Sequence, residues 1–213
     1  MTGPFTALVR PACGPVRGSG HVLFGQTLGL RGNAQATNVN LAPAMRERNM
    51  LMQGTAEVYA DLAATLATTA DWPRALNGSW RFAMHDGQFQ NADKDGSPRG
   101  KPTSFSLAQA SGNIVSGVLY SKDILLRGPE LVLKGNGKLD LPQENIDCEF
   151  DVNMRGMPDF PMRLHGSLDK PRTSIGAGTL LLNALGGLGS GLLDTVGGLF
   201  TGIGRIFTPQ GNK

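Results

Sequence analysis

From Ile146 to Arg155 the chain alternates without a break, with Ile146, Cys148, Phe150, Val152 and Met154 on one parity and Asp147, Glu149, Asp151, Asn153 and Arg155 on the other. Successive side chains of an extended strand point to opposite faces, so this segment makes a strand with one wet side and one apolar side. The apolar side must be covered, and what can cover it constrains the whole fold. Similar period-two stretches recur along most of the chain. Thirty glycines and thirteen prolines among 213 residues, with aromatics at 6%, fit many short strands and tight turns better than a helical bundle.

Residues 20–41 read as two strands turning near Gly25 and Gly32, followed by a short helix from Pro43 to Asn49, because proline favours the first helical position. Residues 55–66 place Ala56, Val58, Ala60, Leu62, Ala64 and Leu66 on one side and Thr55, Glu57, Tyr59 and Asp61 on the other, a strand face with a helix as the alternative. Thr69 is placed to cap a one-turn helix through Trp72 and Ala75 that ends at Gly78. Strands then resume. Trp80, Phe82 and Met84 alternate with Arg81 and His85, Gly87 bends the chain toward Phe89, and residues 91–102 form a polar loop. Further strands are expected around Phe105 and Leu107, around Ile114, Val118 and Tyr120 after a turn at Gly112, and at 124–126, 131–141, 146–154 and 162–168. Connections this short make a meander in which each strand pairs with the next.

The fold expected is mostly β: a curved antiparallel meander sheet, open like a trough, with short helices and an amphipathic helical tail. Residues 1–19 read as an irregular segment that starts in the middle of a pattern, as a fragment would. Residues 20–173 form the groove domain and 174–213 a Gly/Leu-rich tail.

Several function classes find no support in the residues. The net charge is +3 and the basic residues are scattered, so nucleic acid is not an expected partner. His21, His85 and His165 each stand alone on a strand without metal-ligand spacing. "NADKDG", with Asn91, Asp93, Asp95 and Gly96, imitates the start of a calcium loop, but Pro102 stands where a bidentate glutamate is needed. "GNGKLD" at Gly135 lacks the third glycine of a dinucleotide loop and continues as a strand, and neither Ser111 nor Ser190 lies in a nucleophile-elbow frame. The chain therefore reads as non-enzymatic, with no catalytic residue, metal or cofactor. Cys13 and Cys148 are far apart, and Cys148, on the apolar parity, reads as a buried free thiol. The apolar run near the N-terminus is broken by Arg10 and Pro11, too short for a signal peptide or membrane anchor.

What remains is the uncovered face. Eight or more strands at about 4.8 Å spacing make a sheet roughly 40 Å wide, and the strands leave no second layer to cover it. The residues expected to line the concave side are Phe82 and Met84, then Phe105 and Leu107, then Val118 and Tyr120. Leu131, Leu133, Leu139 and Leu141 follow, then Ile146, Phe150 and Val152, and finally Met162 and Leu164. An apolar trough with polar outer walls suits an acyl chain, whose passage through water costs on the order of 12 kcal/mol for sixteen carbons at about 0.8 kcal/mol per methylene. In the tail, Leu181, Leu185, Leu188, Leu192, Val196, Leu199, Ile203 and Ile206 recur at steps of three and four. Its many glycines each cost roughly 1 kcal/mol of helix propensity. The tail is therefore expected to lie in a membrane interface or on the apolar side of the sheet, with a transmembrane helix as the alternative.

The order of several short signatures carries a resemblance: "VNLAPAM" and "MQGTAEVYADL", "LNGSWRFAMHDGQF", the long stretch from Pro102 to Val152, and "MRLHGSLDKPRTSI". Together they resemble the C-terminal region of the AsmA family (AsmA, TamB- and YhdP-like proteins) from about Gly20 to Arg172. The resemblance implies a repeating β-groove, a periplasmic, membrane-associated location, and a part in outer-membrane biogenesis with phospholipid moved between inner and outer membranes. The partners it implies are phospholipid acyl chains, a membrane surface and outer-membrane assembly proteins. It implies no catalytic residues. The alternative is a scaffold that affects outer-membrane protein assembly without carrying lipid.

Overall fold

The computed structural model describes residues 2–9, 15–25, 27–42, 50–66, 72–93, 95–156, 158–168 and 171–176. These form one open antiparallel sheet of eleven strands in strict sequence order. The strands are β1 (Thr2–Val9), β2 (Val16–Phe24), β3 (Leu28–Asn40), β4 (Met50–Leu66), β5 (Leu76–Ala92), β6 (Pro98–Val115), β7 (Val118–Arg127), β8 (Leu131–Asp140), β9 (Asn145–Met154), β10 (Phe160–Ser167) and β11 (Arg172–Ile175). A one-turn helix, α1 (Trp72–Ala75), leads straight into β5. The alternation at 55–66 resolves as strand β4, in keeping with its period-two pattern.

Several boundaries differ from those expected. The N-terminal stretch is not irregular: β1 pairs with β2 from Thr2↔Leu23 to Val9↔Val16. Gly32 lies inside β3, opposite Gly20, so the turn falls at residues 25–27. Gly112 is likewise interior to the eighteen-residue β6. The turn after it uses Ser116 and Gly117, with φ of 49° and 79°, the left-handed pair that matches the twist of a two-residue hairpin. The polar loop shrinks to residues 93–97, where the Asp95 carboxylate accepts from the Ser97 amide at 2.9 Å and from its hydroxyl. The Pro43–Asn49 helix, the Thr69 cap, Cys13 and the entire tail from Leu181 to Ile206 lie outside the described residues.

Four strands break their alternation. Ala36 and Val39 are both buried in β3, on either side of Asn38 at φ 55°. Met84 and Gly87 are both buried in β5, on either side of exposed His85 and Asp86. Phe105 and Ala108 do the same in β6, and Ser121 and Leu126 in β7, where the register to both neighbours shifts. An extra residue between two core positions turns the following side chains to the other face and bends the strand.

Three expected positions are overturned, Leu107 by the parity change in β6, and Val118 and Tyr120 because they lie on the outer parity of β7 ahead of its bulge. Leu107 pairs with exposed His85 and Arg127, while its neighbour Ala108 takes the buried place. Tyr120 lies between Asn113 and Lys138 and is 45% exposed. Val118 pairs with exposed Val115 and with Asp140, on the same outer side. On β7 the inward side chains are Leu119 and Ser121 before the bulge and Ile124 and Leu126 after it.

The apolar face is only partly open. One contiguous core includes Leu41, Met52, Met84, Phe89, Phe105, Leu131, Leu133, Phe150, Val152, Phe160, Met162 and Leu164, each at 4% exposure or less. Phe89 and Phe105 meet with ring centroids 6.0 Å apart. A smaller group, Ile114, Leu119 and Leu141, packs with Leu62, Leu76, Trp80 and Leu139 near the β6–β7 hairpin. That hairpin is tied down at Gly117, whose amide donates to the Leu76 carbonyl (2.8 Å) and whose carbonyl accepts from the Leu141 amide (3.2 Å).

Candidate functional site: an apolar trough across six strands

Between the two packed groups the sheet leaves a hollow lined by β4 through β9. It holds about 190 Å³ clear of all side chains, within an opening of about 1200 Å³ that includes its mouth. Its cause is visible in the register. One transverse row of partners runs Ala60, Trp80, Gly112, Ser121, Gly137 and Cys148. Except for the indole, every member is small. The rows on either side carry mostly larger groups: Leu62, Ile114, Leu119, Leu139 and Ile146, with Gly78, on one flank, and Val58 and Phe82, with Ala110, on the other. Small residues in one row between bulky rows leave a channel running across the strands. Over the five intervals from β4 to β9 it extends about 24 Å at about 4.8 Å per strand.

The lining is apolar almost throughout. Its polar side chains are Gln109, Ser121 and Lys138, and both Gln109 and Lys138 belong to the exposed parity. The Ser121 hydroxyl, 6% exposed, is committed to the Asp123 carboxylate at 2.9 Å. That carboxylate, set in the β7 bulge, also accepts from the Ser111 amide at 2.8 Å and the Ser111 hydroxyl at 2.5 Å. Burial pushes the Asp123 carboxyl up, but these donors from Ser111 and Ser121 outweigh it and hold it below the ordinary value. Cys148 carries a free thiol, and burial together with the neighbouring Asp147 carboxylate pushes it up to about 12. At neutral pH it is a small apolar floor residue. The Trp80 Nε1–H is buried without an acceptor.

Of the residues expected to line the concave side, Phe82, Leu139, Leu141 and Ile146 do border the trough. Met84, Phe105, Leu131, Leu133, Phe150, Val152, Met162 and Leu164 share the same face but are consumed in the packed core. Leu107, Val118 and Tyr120 are not on it. Sequence reasoning missed the floor, because Gly112 and Gly137 carry no apolar signal, Ala60 reads only as one member of a strand's apolar side, and the three fall in one row only through pairing. Val58, Leu62, Trp80 and Ile114 read from the sequence as strand residues but not as lining, and they border the trough.

On the outer face, Arg163 forks onto Asp147 (Nε to Oδ1 2.8 Å, Nη2 to Oδ2 3.0 Å). The Arg163 guanidinium holds the Asp147 carboxyl below its ordinary value. His21 and His85 are exposed, and the His165 Nδ1 is buried without a partner. Among the described residues no three His, Cys, Asp or Glu side chains gather as a metal-ligand set. Among them, too, no helix is long and apolar enough to cross a membrane.

No family model, no curated protein and no solved structure matches the chain.

Proposed function

We propose that this chain is a non-enzymatic lipid-handling module whose trough shelters an acyl chain from water. The carrying observation is a channel lined by apolar side chains from six consecutive strands, open at its mouth, whose one buried hydroxyl is already satisfied. A cavity of about 150 Å³ lined by aliphatic and aromatic side chains stays dry and accepts a small hydrocarbon. The trough is of that order, so it fits part of a single chain, with the headgroup left at the mouth. An extended hydrocarbon advances about 1.2 Å per bond, the same zigzag that gives an extended peptide its reach, so 24 Å suits one long acyl chain better than a compact ligand.

The resemblance of the ordered signatures to the C-terminal region of the AsmA family supports placing this activity in the periplasm, in the movement of phospholipid between membranes during outer-membrane biogenesis. The observation that favours a second reading is the open sheet: β1 and β11 each have one strand neighbour among the described residues. In that reading the sheet is a scaffold whose edges dock an outer-membrane assembly protein.

Native mass spectrometry of chain purified from bacterial membranes distinguishes the two. Co-purifying phospholipid, lost when Ala60 and Ala110 in the trough lining are both replaced by Leu, supports carriage. A lipid-free chain that retains one protein partner supports the scaffold.

A further inference from the structure

We propose that the trough is closed at its β9–β10 end and open at its β3–β4 end, so that an acyl chain lies in it with the methyl terminus at β9 and the headgroup at β4. This rests on the acyl-chain reading above and names the class of guest: a chain that is polar at one end only.

Two observations set the direction. The first is the row of small residues that makes the channel. Beyond β4 it continues through Ala34 on β3 and Gly18 on β2, both half-buried. Beyond β9 the same row meets Leu164 on β10, the partner of Cys148, at 1% exposure inside the packed core. A branched side chain packed at that place interrupts the small floor, and the lining ends at Cys148.

The second observation is how exposure changes along the lining. Val58, Ala60 and Leu62 on β4, and Trp80 and Phe82 on β5, are all half-buried, whereas Ile146 and Cys148 on β9 are each 5% exposed. Water therefore reaches the β4–β5 end of the trough far more than the β9 end. A methyl terminus gains most where water is excluded. A polar terminus placed there would lose its hydration without a good partner, because Ser121 spends its hydroxyl on Asp123 and the Cys148 thiol is a weak one.

The register turns this orientation into distances. Trp80, on β5, is four strand intervals from β9, about 19 Å at about 4.8 Å each. With its methyl end at β9 and about 1.2 Å per bond, an eighteen-carbon chain puts C6 and C7 about 5 Å from the Trp80 position and C15 and C16 about 16 Å from it. The reverse orientation brings C15 and C16 closest.

The test uses stearoyl lysophosphatidylcholine brominated at carbons 6 and 7 or at carbons 15 and 16, each supplied from cyclodextrin to Trp72→Phe, in which Trp80 is the remaining tryptophan. Bromine quenches at short range, so the 6,7 compound should quench Trp80 several-fold more than the 15,16 compound at saturation. A second arm uses the unaltered chain and compares stearoyl with ω-hydroxystearoyl lysophosphatidylcholine in displacing an apolar dye. The ω-hydroxyl should weaken binding by on the order of tenfold, the effect of one buried hydroxyl without a partner. Equal quenching by the two compounds, or stronger quenching by the 15,16 compound, overturns the orientation and leaves the trough reading standing. Equal affinity of the hydroxylated and plain chains overturns the closed end in the same way. If neither brominated compound quenches and neither chain displaces the dye, the trough reading itself fails.

Discussion

Replacing Asp123 with alanine removes the pin that holds the β7 bulge beside the trough floor. Three donors lose their acceptor: the Ser111 amide (2.8 Å), the Ser111 hydroxyl (2.5 Å) and the Ser121 hydroxyl (2.9 Å). The Ser111 hydroxyl is easily rehydrated, but Ser121 is 6% exposed and the Ser111 amide lies inside β6. At about 1 kcal/mol for each of those two donors, the loss is about 2 kcal/mol, with the exposed carboxylate itself discounted for screening. For a domain of this size that lowers Tm by about 4–8 °C. The pH dependence has a definite direction. Asp123 titrates lower in the folded chain than in the unfolded one, where an aspartate has a pKa of about 3.9. Its contribution is therefore fully present above about pH 4 and is lost as pH falls through the lower folded value. Urea unfolding of the two proteins followed by tryptophan fluorescence should show a constant gap at pH 5–7 that narrows below about pH 4. A gap under about 0.5 kcal/mol at pH 7, the scale of an ordinary surface change, would refute the claim that Asp123 holds the bulge. So would a gap that stays the same size into strong acid.

Gly87→Ala would place a Cβ 2.1 Å from the Phe105 ring, and Gly137→Ala one 2.4 Å from Cys148 Sγ and 2.6 Å from its Cα. Each should cost about 1–3 kcal/mol in urea melts, with Gly137→Ala also narrowing the trough. Leu133→Ala, at 0% exposure in the packed core, should cost about 2–5 kcal/mol without changing lipid binding, because Leu133 does not border the trough. Arg163→Ala breaks an exposed, solvent-screened pair and should leave the urea midpoint nearly unchanged, while Asp147 returns upward toward its ordinary titration, readable by NMR. In a Cys13→Ser background, Cys148 should resist maleimide at pH 7 and react on unfolding, since burial pushes its thiol up to about 12.

How far the fold is legible in the sequence depends on whether a strand keeps its parity. β9 alternates from Ile146 to Met154 with no bulge, and its inward set follows directly from the residues. β6 and β7 do not: Leu107 lies on the parity of Phe105, yet the bend between Phe105 and Ala108 sends it to the wet face. Val118 and Tyr120 are apolar or aromatic on the outer side of a strand whose inner side includes a serine, so hydrophobicity alone selects the wrong parity. Reading the chain as a meander anticipates which strands are neighbours, because short connections leave few alternatives. It does not anticipate how deep the trough is. Depth comes from Ala60, Gly112, Ser121 and Gly137 falling in one row, and that row depends on bulges that shift the register between β6, β7 and β8. The same arrangement explains why much of the apolar face is packed: toward the other end of the strands the rows carry Phe89, Phe105, Leu131, Leu133 and Phe150, which fill the space themselves.

Trp72 and Trp80 are the two tryptophans, so Trp72→Phe leaves Trp80, on the trough wall, as the single reporter. Titrating that variant with a phospholipid brominated along its acyl chains reads whether hydrocarbon enters the hollow. The account predicts saturable quenching of Trp80 emission that is suppressed when Ala60 and Ala110 are also changed to Leu. Emission that stays unquenched by the brominated lipid, or quenching that persists with the floor filled, would contradict it.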